Sequence, residues 1–320
     1  MKEIAVISIW LVALTTIFAG CKKDNNDPET TFELLAEQVI GPEGGSFISS
    51  DHLIMDVPAG AFSNATTLQL FYSDEENPYT GDGGASDVIY IKGFPDDLAK
   101  PVRVAVKHDG SATKDAYVAM GFPAIATATF DTVFGHKLYP AIDSSGYLVC
   151  MILPEEKNGR DLKGSDHSHQ GRYGVPFFCI RNLFYLQTDH FLIYYNSGFH
   201  NLNTISSLAG GLEDAYALLK SWDFSYDSRT SWPVYVEVKP LNKTGTDENL
   251  DGLSLRGIPY TKNSGYLEIG NHLINDHNLL RITGGHEFFH LVQDLYNYDE
   301  KYNWLQEASS TWFESYLTLN

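Results

Sequence analysis

The stretch from Gly284 to His290 reads Gly-Gly-His-Glu-Phe-Phe-His and contains an H-E-x-x-H motif. Residues four apart on an α-helix lie one turn apart on the same face, so His286 and His290 can present two imidazoles to one metal ion. Glu287 lies about 100° further around the helix, where it can reach a water molecule on that metal. The motif therefore predicts a helix that carries a metal site.

A catalytic zinc ion has three protein ligands and an open fourth position, so the two histidines need a third ligand from elsewhere in the chain. Glu307, in the segment Trp304–Glu314, is the best candidate. Asp294 is a weaker one, because it lies one turn beyond His290 but points about 80° away from His286. The predicted zinc ligands are therefore His286, His290 and Glu307.

Other polar residues lie near this predicted site. Gln293 shares the histidine face and is expected to contact substrate or to support a ligand. Glu314 lies two turns after Glu307 and is expected to orient an imidazole Nδ1–H, although a plain surface carboxylate fits nearly as well. Gly284 and Gly285 weaken a helix, so they either allow close approach of a strand and substrate or mark the start of the helix.

The segment Trp304–Glu314, which reads Trp-Leu-Gln-Glu-Ala-Ser-Ser-Thr-Trp-Phe-Glu, resembles the Trp-Leu-x-Glu-Gly-x-Ala stretch of the aminopeptidase N-type gluzincins. Their first Glu is the third zinc ligand, so the resemblance also places zinc on Glu307. It implies that Glu287 is the general base that activates a zinc-bound water. Ala308 replaces the usual Gly, and the gap between His290 and Glu307 is slightly shorter than in that family.

The order of predicted helices and strands after residue 177 is similar to that of the zincin metallopeptidases. That resemblance implies an α+β zincin-like domain over residues 177–320. It also implies that the strand from Gly265 to Gly270 lies along the cleft and pairs with extended substrate backbone. The chain ends at Asn320, soon after Glu307, so the predicted domain is either a minimal version or incomplete at its C-terminus.

Residues 34–155 show short runs of period-two alternation, as in Leu53–Val57, with Gly, Pro, Asp and Asn between them. This pattern predicts an all-β sandwich. The Glu-Gly-Gly at 43–45, followed by the strand that ends in Pro58-Ala59-Gly60-Ala61, resembles the β-sandwich module of zonula occludens proteins and netrin receptors. In that family the module is structural or adhesive, which favours a spacer here. A charged, Gly-containing stretch predicts a linker over residues 156–176.

The N-terminus reads as a targeting segment. Residues 1–20 contain Lys2, an apolar run and a final Ala-Gly, and the sequence Phe-Ala-Gly-Cys resembles a bacterial lipobox. The resemblance implies that Cys21 is lipidated and anchors the chain without spanning the bilayer. Residues 21–33 are then a polar tether. We expect an outer-membrane lipoprotein facing the periplasm or the cell surface, with plain secretion as the alternative.

The formal net charge of −19 argues against a nucleic-acid partner, since phosphate binding needs clustered Lys and Arg. Cys150 and Cys179 lie in apolar, strand-like runs, where either a disulfide or two buried thiols is consistent with the pattern. The acidic stretch 247–252 is either a turn or a calcium-binding loop without EF-hand spacing.

The predicted fold is therefore multi-domain, with an N-terminal all-β sandwich followed by an α+β zincin-like domain. The predicted function is zinc-dependent hydrolysis of peptide bonds in a protein or peptide substrate by a surface-anchored lipoprotein. A non-enzymatic surface binding or adhesion protein with a structural or relict zinc site is one alternative. A glycoprotein-directed gluzincin is another.

Overall fold

The structure is a computed structural model that describes residues 31–49, 51–79, 83–95, 97–110, 115–126, 132–154, 174–196, 202–224, 229, 232–241, 248–257, 265–296 and 303–318. The predicted signal peptide, the lipidation site Cys21 and most of the predicted tether and linker lie outside these residues. Residues 242–247 and 297–302 lie outside them as well.

The described residues form sixteen strands and three α-helices. The strands are β1 (Phe32–Ile40), β2 (Gly45–Ser49), β3 (Leu53–Val57), β4 (Thr66–Ser73), β5 (Ile89–Lys92), β6 (Val102–Lys107), β7 (Tyr117–Ala126), β8 (Thr132–Pro140), β9 (Ile142–Ser144), β10 (Tyr147–Ile152), β11 (Val175–Ile180), β12 (Leu183–Gln187), β13 (Phe191–Asn196), β14 (Val234–Lys239), β15 (Gly252–Gly257) and β16 (Tyr266–Gly270). The helices are α1 (Leu202–Ser221), α2 (His277–Tyr296) and α3 (Asn303–Glu314), and a 3-10 turn spans Asn271–Asn275.

The strands form two sheets. Eleven strands make one continuous sheet in the order β1-β4-β5-β11-β7-β15-β16-β14-β13-β12, with β8 attached to β7. Five strands make a second sheet in the order β2-β3-β6-β10-β9. The two halves of the chain meet where β15 pairs antiparallel with β7, so that Arg256 lies opposite Ile125.

The prediction of an α+β zincin-like domain is wrong. The described part of the chain is mostly β, with three α-helices, and the strands of the C-terminal half extend the same sheet that the N-terminal strands begin. The local helix and strand signals in this half favour a separate α+β unit. Pairing between β7 and β15 instead joins segments more than a hundred residues apart.

The N-terminal strands pack as a two-layer sandwich around one apolar core. Leu53, Val104 and Leu148 come from the five-stranded sheet, and Leu70 and Phe177 face them from the larger sheet. Each of these side chains is fully buried. Because β11 supplies Phe177, this core includes residues beyond the predicted linker.

The helices cover one face of the C-terminal strands. On β14, Val234, Val236 and Val238 alternate with more polar residues and point into the core that α1 and α2 complete. Helix α2 begins after Asp276, whose Oδ1 accepts a hydrogen bond from the Leu279 N–H at 2.9 Å, which is typical of an N-cap. Helix α2 is therefore fixed between the sheet and the other two helices.

The predicted role of Gly265–Gly270 as a substrate-pairing strand is wrong. This segment forms β16, which pairs in parallel with β14 on one side and antiparallel with β15 on the other. Both backbone edges of β16 are therefore occupied. Among the described strands, β15 pairs with β7 only from Leu255 onward.

Cys150 and Cys179 are buried free thiols, as in the second of the two sequence-based alternatives. Burial raises the pKa of each thiol to about 12. The described helices include no segment of the length and apolar character that crossing a membrane requires.

Gly284 and Gly285 serve helix packing rather than the approach of a strand and substrate. They lie well inside α2, which begins at His277. A Cβ on Gly284 would lie 2.7 Å from Leu208 Cδ1 of α1, and one on Gly285 would lie 2.1 Å from Leu317 Cδ1. The small residues therefore set the distance between α2 and its neighbours.

We expect Gly284→Val to lower the free energy of unfolding by about 1–3 kcal/mol, because the added side chain overpacks the contact with α1. Gly210→Val is the matched control, since a Cβ there lies 3.5 Å from its nearest neighbour atom, an ordinary contact. Urea unfolding of both variants measures the difference. Equal midpoints for the two would contradict this account of α2 packing.

Candidate metal centre

Helices α2 and α3 bring the three predicted ligands together. His290 Nε2 lies 3.1 Å from His286 Nε2 and 3.2 Å from Glu307 Oε1. His286 Nε2 lies 3.6 Å from Glu307 Oε2. His290 is 1% exposed, whereas His286 and Glu307 are partly exposed, so the cluster opens to solvent on one side. These three residues could hold a metal ion.

The hydrogen bonds on the far side of each ring fix which nitrogen carries the proton. His286 Nδ1 lies 2.6 Å from Glu314 Oε1, so Nδ1–H is the donor. His290 Nδ1 lies 2.9 Å from Gln293 Oε1. The Gln293 amide donates to Ser309 Oγ at 2.8 Å and to the Gln306 carbonyl oxygen, which fixes its Oε1 toward His290.

When the two rings are neutral, both Nε2 atoms are therefore left with lone pairs that face each other and a carboxylate. Two lone pairs 3.1 Å apart repel each other unless a proton or a cation lies between them. Two imidazole nitrogens and one carboxylate oxygen form a ligand set that zinc accepts, with partners behind the rings of the kind that metal-binding histidines use. The residues present thus fit a zinc ion.

The charges around the cluster also favour a cation. Burial by itself lowers the pKa of His286, but bonds to Glu307 and Glu314 and the charge of Glu287 outweigh it and raise that pKa to about 9. Burial raises the pKa of Glu307, but its bonds to His286 and His290 outweigh this and lower the pKa to about 2. Three carboxylates around two imidazoles create a site that attracts positive charge.

Glu287 lies beside the ligands and is not one of the clustered three. It is 7% exposed, and its Oε2 makes no hydrogen bond with any described residue. Burial raises its pKa, while the charges of His290 and His286 oppose that rise. A buried carboxylate with a free oxygen next to a metal position is suited to accept a proton.

The weaker candidates from the sequence are Gln293 and Asp294 on α2 and Glu314 on α3. Gln293 and Glu314 contact the two imidazoles as described above. Asp294 is buried but lies outside the clustered ligand set. Three tyrosines close in sequence to the site, Tyr298, Tyr302 and Tyr316, are candidates to stabilise an oxyanion. Of these, Tyr316 packs against Trp222 and Trp312, each with ring centroids 5.0 Å away. Tyr298 and Tyr302 lie outside the described residues.

A second triad that could hold a metal lies on the other face of the sheet. Its members are His136 of β8, Glu237 of β14 and Glu268 of β16, and all three are buried. Lys239 Nζ lies 2.6 Å from Glu268 Oε1 and 3.0 Å from His136 Nδ1. The Lys239 ammonium therefore occupies the middle of this cluster.

The lysine makes the second triad a poor metal site. Burial lowers the pKa of Lys239, but the charges of Glu237 and Glu268 outweigh it and raise that pKa, so the ammonium persists. Burial and the Lys239 charge lower the pKa of His136 well below its usual value. Since the cluster already contains a cation, the α2–α3 centre is the stronger candidate for a metal.

Sequence reasoning missed this buried cluster and also missed β15. The signal was present in Val234–Lys239, where Glu237 and Lys239 alternate with valines on a strand at the centre of a sheet. Such alternation predicts a solvent-exposed polar face, but β7 and β8 cover that face here.

The strand Gly252–Gly257 lies next to the acidic stretch 247–252 and has no long apolar run to indicate it.

No protein-family model matches the chain, and comparison with curated proteins gave no match. The functional assignment therefore depends on the chemistry of the site.

Proposed function

We propose that the protein is a zinc-dependent hydrolase of peptide bonds. The observation that carries the proposal is the convergence of His286, His290 and Glu307 next to the buried carboxylate of Glu287. A structural zinc site has a closed fourth position and commonly uses Cys ligands. The two described cysteines lie in the sandwich core instead.

When bound, zinc would supply a Lewis acid that polarises a carbonyl and lowers the pKa of a coordinated water. His286, His290 and Glu307 would hold it. Glu287 accepts the proton of the attacking water and then delivers it to the nitrogen of the departing amine. Its buried position raises its pKa, which makes it a stronger base than an exposed glutamate.

Substrate binding would use the side of the site that is open to solvent. Glu307 is partly exposed there, and Gly252–Ser254 of β15 lie against α2 near Glu287. An extended peptide that adds to this part of β15 would have its backbone held beside the general base. We further propose that lipidation of Cys21 anchors the protein to the outer membrane, as the sequence predicts.

The experiment compares wild type with Glu287→Gln. Both proteins are expected to bind one equivalent of zinc, because Glu287 is not a ligand. Cleavage of casein by Glu287→Gln should fall by about 10²–10⁴-fold, which is the usual contribution of a general base. The measurements are metal content of the purified proteins and initial rates of peptide release. Zinc binding without cleavage by wild type would favour the non-enzymatic alternative and overturn the proposal.

A further inference from the structure

Strand β15 faces the general base through two alternate residues. Gly252 and Ser254 lie two apart on the strand, so both point to the side on which α2 packs. A Cβ on Gly252 would lie 2.7 Å from Glu287 Cγ, 3.2 Å from Glu287 Oε1 and 2.9 Å from Thr283 Cγ2. Only a glycine leaves room for the Glu287 side chain to lie flat against the strand at this point.

Ser254 is 1% exposed and lies beneath the same side chain. Its hydroxyl hydrogen bonds to the Glu287 carboxylate. Glu287 Oε2 makes no hydrogen bond with a described residue, so this bond leaves one oxygen available to a water. A glutamate has three rotatable side-chain bonds, and a general base needs a fixed direction toward the proton that it takes.

The strand that carries Ser254 is itself held firmly. Ser254 lies opposite Leu267 on β16, and the next residue, Leu255, pairs with both Tyr266 and Ala126 of β7. A hydroxyl on this strand therefore has a fixed position relative to α2. Strand β7 belongs to the N-terminal half, so that half supports the site rather than acting only as a spacer.

We propose that Ser254 is a positioning residue for Glu287, and that Gly252 provides the space that this contact requires. The inference rests on the proposed hydrolase function. The Ser254 hydroxyl donates to one carboxylate oxygen and orients the other toward the water. The proposal assigns the Ser254 side chain no contact with the substrate and no role in binding the metal.

The test is a double-mutant cycle with Ser254→Ala, Glu287→Gln and the double variant. We expect Ser254→Ala to lower kcat for peptide cleavage by about tenfold with KM unchanged, comparable to the loss of an outer partner at a metal site. In the Glu287→Gln background the same change should have no further effect, because it acts only through Glu287. Ser254→Thr, which restores the hydroxyl, should recover most of the rate.

A binding measurement provides a readout besides activity. Acetohydroxamate releases a proton to the general base when it binds the metal, so its affinity for the Co²⁺-substituted protein, followed by visible absorption, should weaken in Ser254→Ala. In the Glu287→Gln background, Ser254→Ala should leave the affinity for acetohydroxamate unaltered. Ser206→Ala, at an exposed position on α1, is the matched control and should resemble wild type in every measurement.

The outcomes separate the two proposals. If Ser254→Ala binds metal and matches wild type in both kcat and hydroxamate affinity, the positioning role is overturned and the hydrolase proposal stands. Equal effects of Ser254→Ala in the wild-type and Glu287→Gln backgrounds also overturn the positioning role, because they indicate a general structural effect. A wild-type protein that takes up no metal overturns both.

Discussion

Replacement of His290 by alanine is expected to abolish stoichiometric zinc binding and peptide cleavage together. His290 is the most buried of the three candidate ligands, and its Nε2 lies within 3.2 Å of both of the others. Without this imidazole, His286 and Glu307 provide only two ligands, one fewer than a catalytic zinc ion needs. The loss of affinity should exceed the roughly 10- to 100-fold that alteration of an outer partner costs.

Two further variants test how strongly zinc binding depends on other residues. One alters Gln293, which hydrogen bonds to the His290 ring, and the other alters His272, which is not a predicted ligand. Gln293→Leu removes the acceptor for His290 Nδ1–H and should weaken zinc binding by roughly 10- to 100-fold. His272→Ala removes a histidine that pairs with Asp251 and should leave zinc binding unchanged. Metal content after dialysis and competition with a chromophoric chelator would rank the three variants.

Wild type and these variants are also expected to differ in how much zinc raises their Tm. A ligand that binds only the folded state stabilises it by about 2.7 kcal/mol when present at a hundred times its Kd. Zinc should therefore raise the Tm of wild type and of His272→Ala, and a chelator should reverse the effect. His290→Ala should show the same Tm with zinc and with chelator. A zinc-dependent rise in the Tm of His290→Ala would exclude His290 as a ligand.

The local chemistry of the site could be read from the sequence because helix geometry is a short-range property. The spacing of His286 and His290 fixes their common face once the segment is helical. Glu314 lies two turns after Glu307, which places both on the side of α3 that contacts α2. These relations depend on separations of seven residues or fewer within one helix, so distant parts of the chain have little influence on them.

The fold as a whole could not be read in the same way. A strand's alternation indicates which residues share a face but not which strand will pair with it. The sequence around Gly252–Gly257 does not indicate that this strand lies between β7 and β16. Consequently the sequence predicts substrate pairing at β16 and does not indicate that Gly252 and Ser254 are neighbours of Glu287.

The sequence likewise does not reveal the position of β8, which covers the second face of the sheet. That position determines whether Glu237 and Lys239 face water or protein, and His136 shows that they face protein. Burial of charges at the centre of a sheet has energetic consequences that the strand pattern alone does not reveal. The largest expected effect on stability therefore lies in a cluster that sequence reasoning did not identify.

Lys239→Met is expected to lower the free energy of unfolding by about 3–5 kcal/mol at pH 8, the usual cost of removing one partner from a buried ion pair. Lys239 is the only cation beside Glu237 and Glu268 among the described residues, and methionine has similar length without charge. Glu237 is fully buried, and neither of its carboxylate oxygens has a hydrogen-bond partner among the described residues. Loss of the ammonium therefore leaves two carboxylates close together without a countercharge.

The loss of unfolding free energy in Lys239→Met should become smaller as the pH falls. Burial raises the pKa of Glu237 to about 8, with the Lys239 charge opposing and the Glu268 charge adding to the rise. Without Lys239 the opposing effect is lost, so the folded-state pKa of Glu237 lies further above its unfolded value. A raised carboxyl pKa destabilises the folded state above the unfolded pKa, and the penalty disappears as protonation becomes complete at lower pH. The difference between the variant and wild type should therefore be smaller at pH 5 than at pH 8.

Urea unfolding at the two pH values measures this difference, with Lys220→Met as the matched control. Lys220 lies on the exposed side of α1, so its replacement should change stability by no more than about 0.5 kcal/mol at either pH. A Lys239→Met deficit that is the same at pH 5 and pH 8 would indicate lost packing rather than uncompensated charge. A loss of unfolding free energy as small as that of Lys220→Met would show that the two carboxyls can be buried without the Lys239 ammonium. That result is expected if both carboxyls are already protonated in the folded protein.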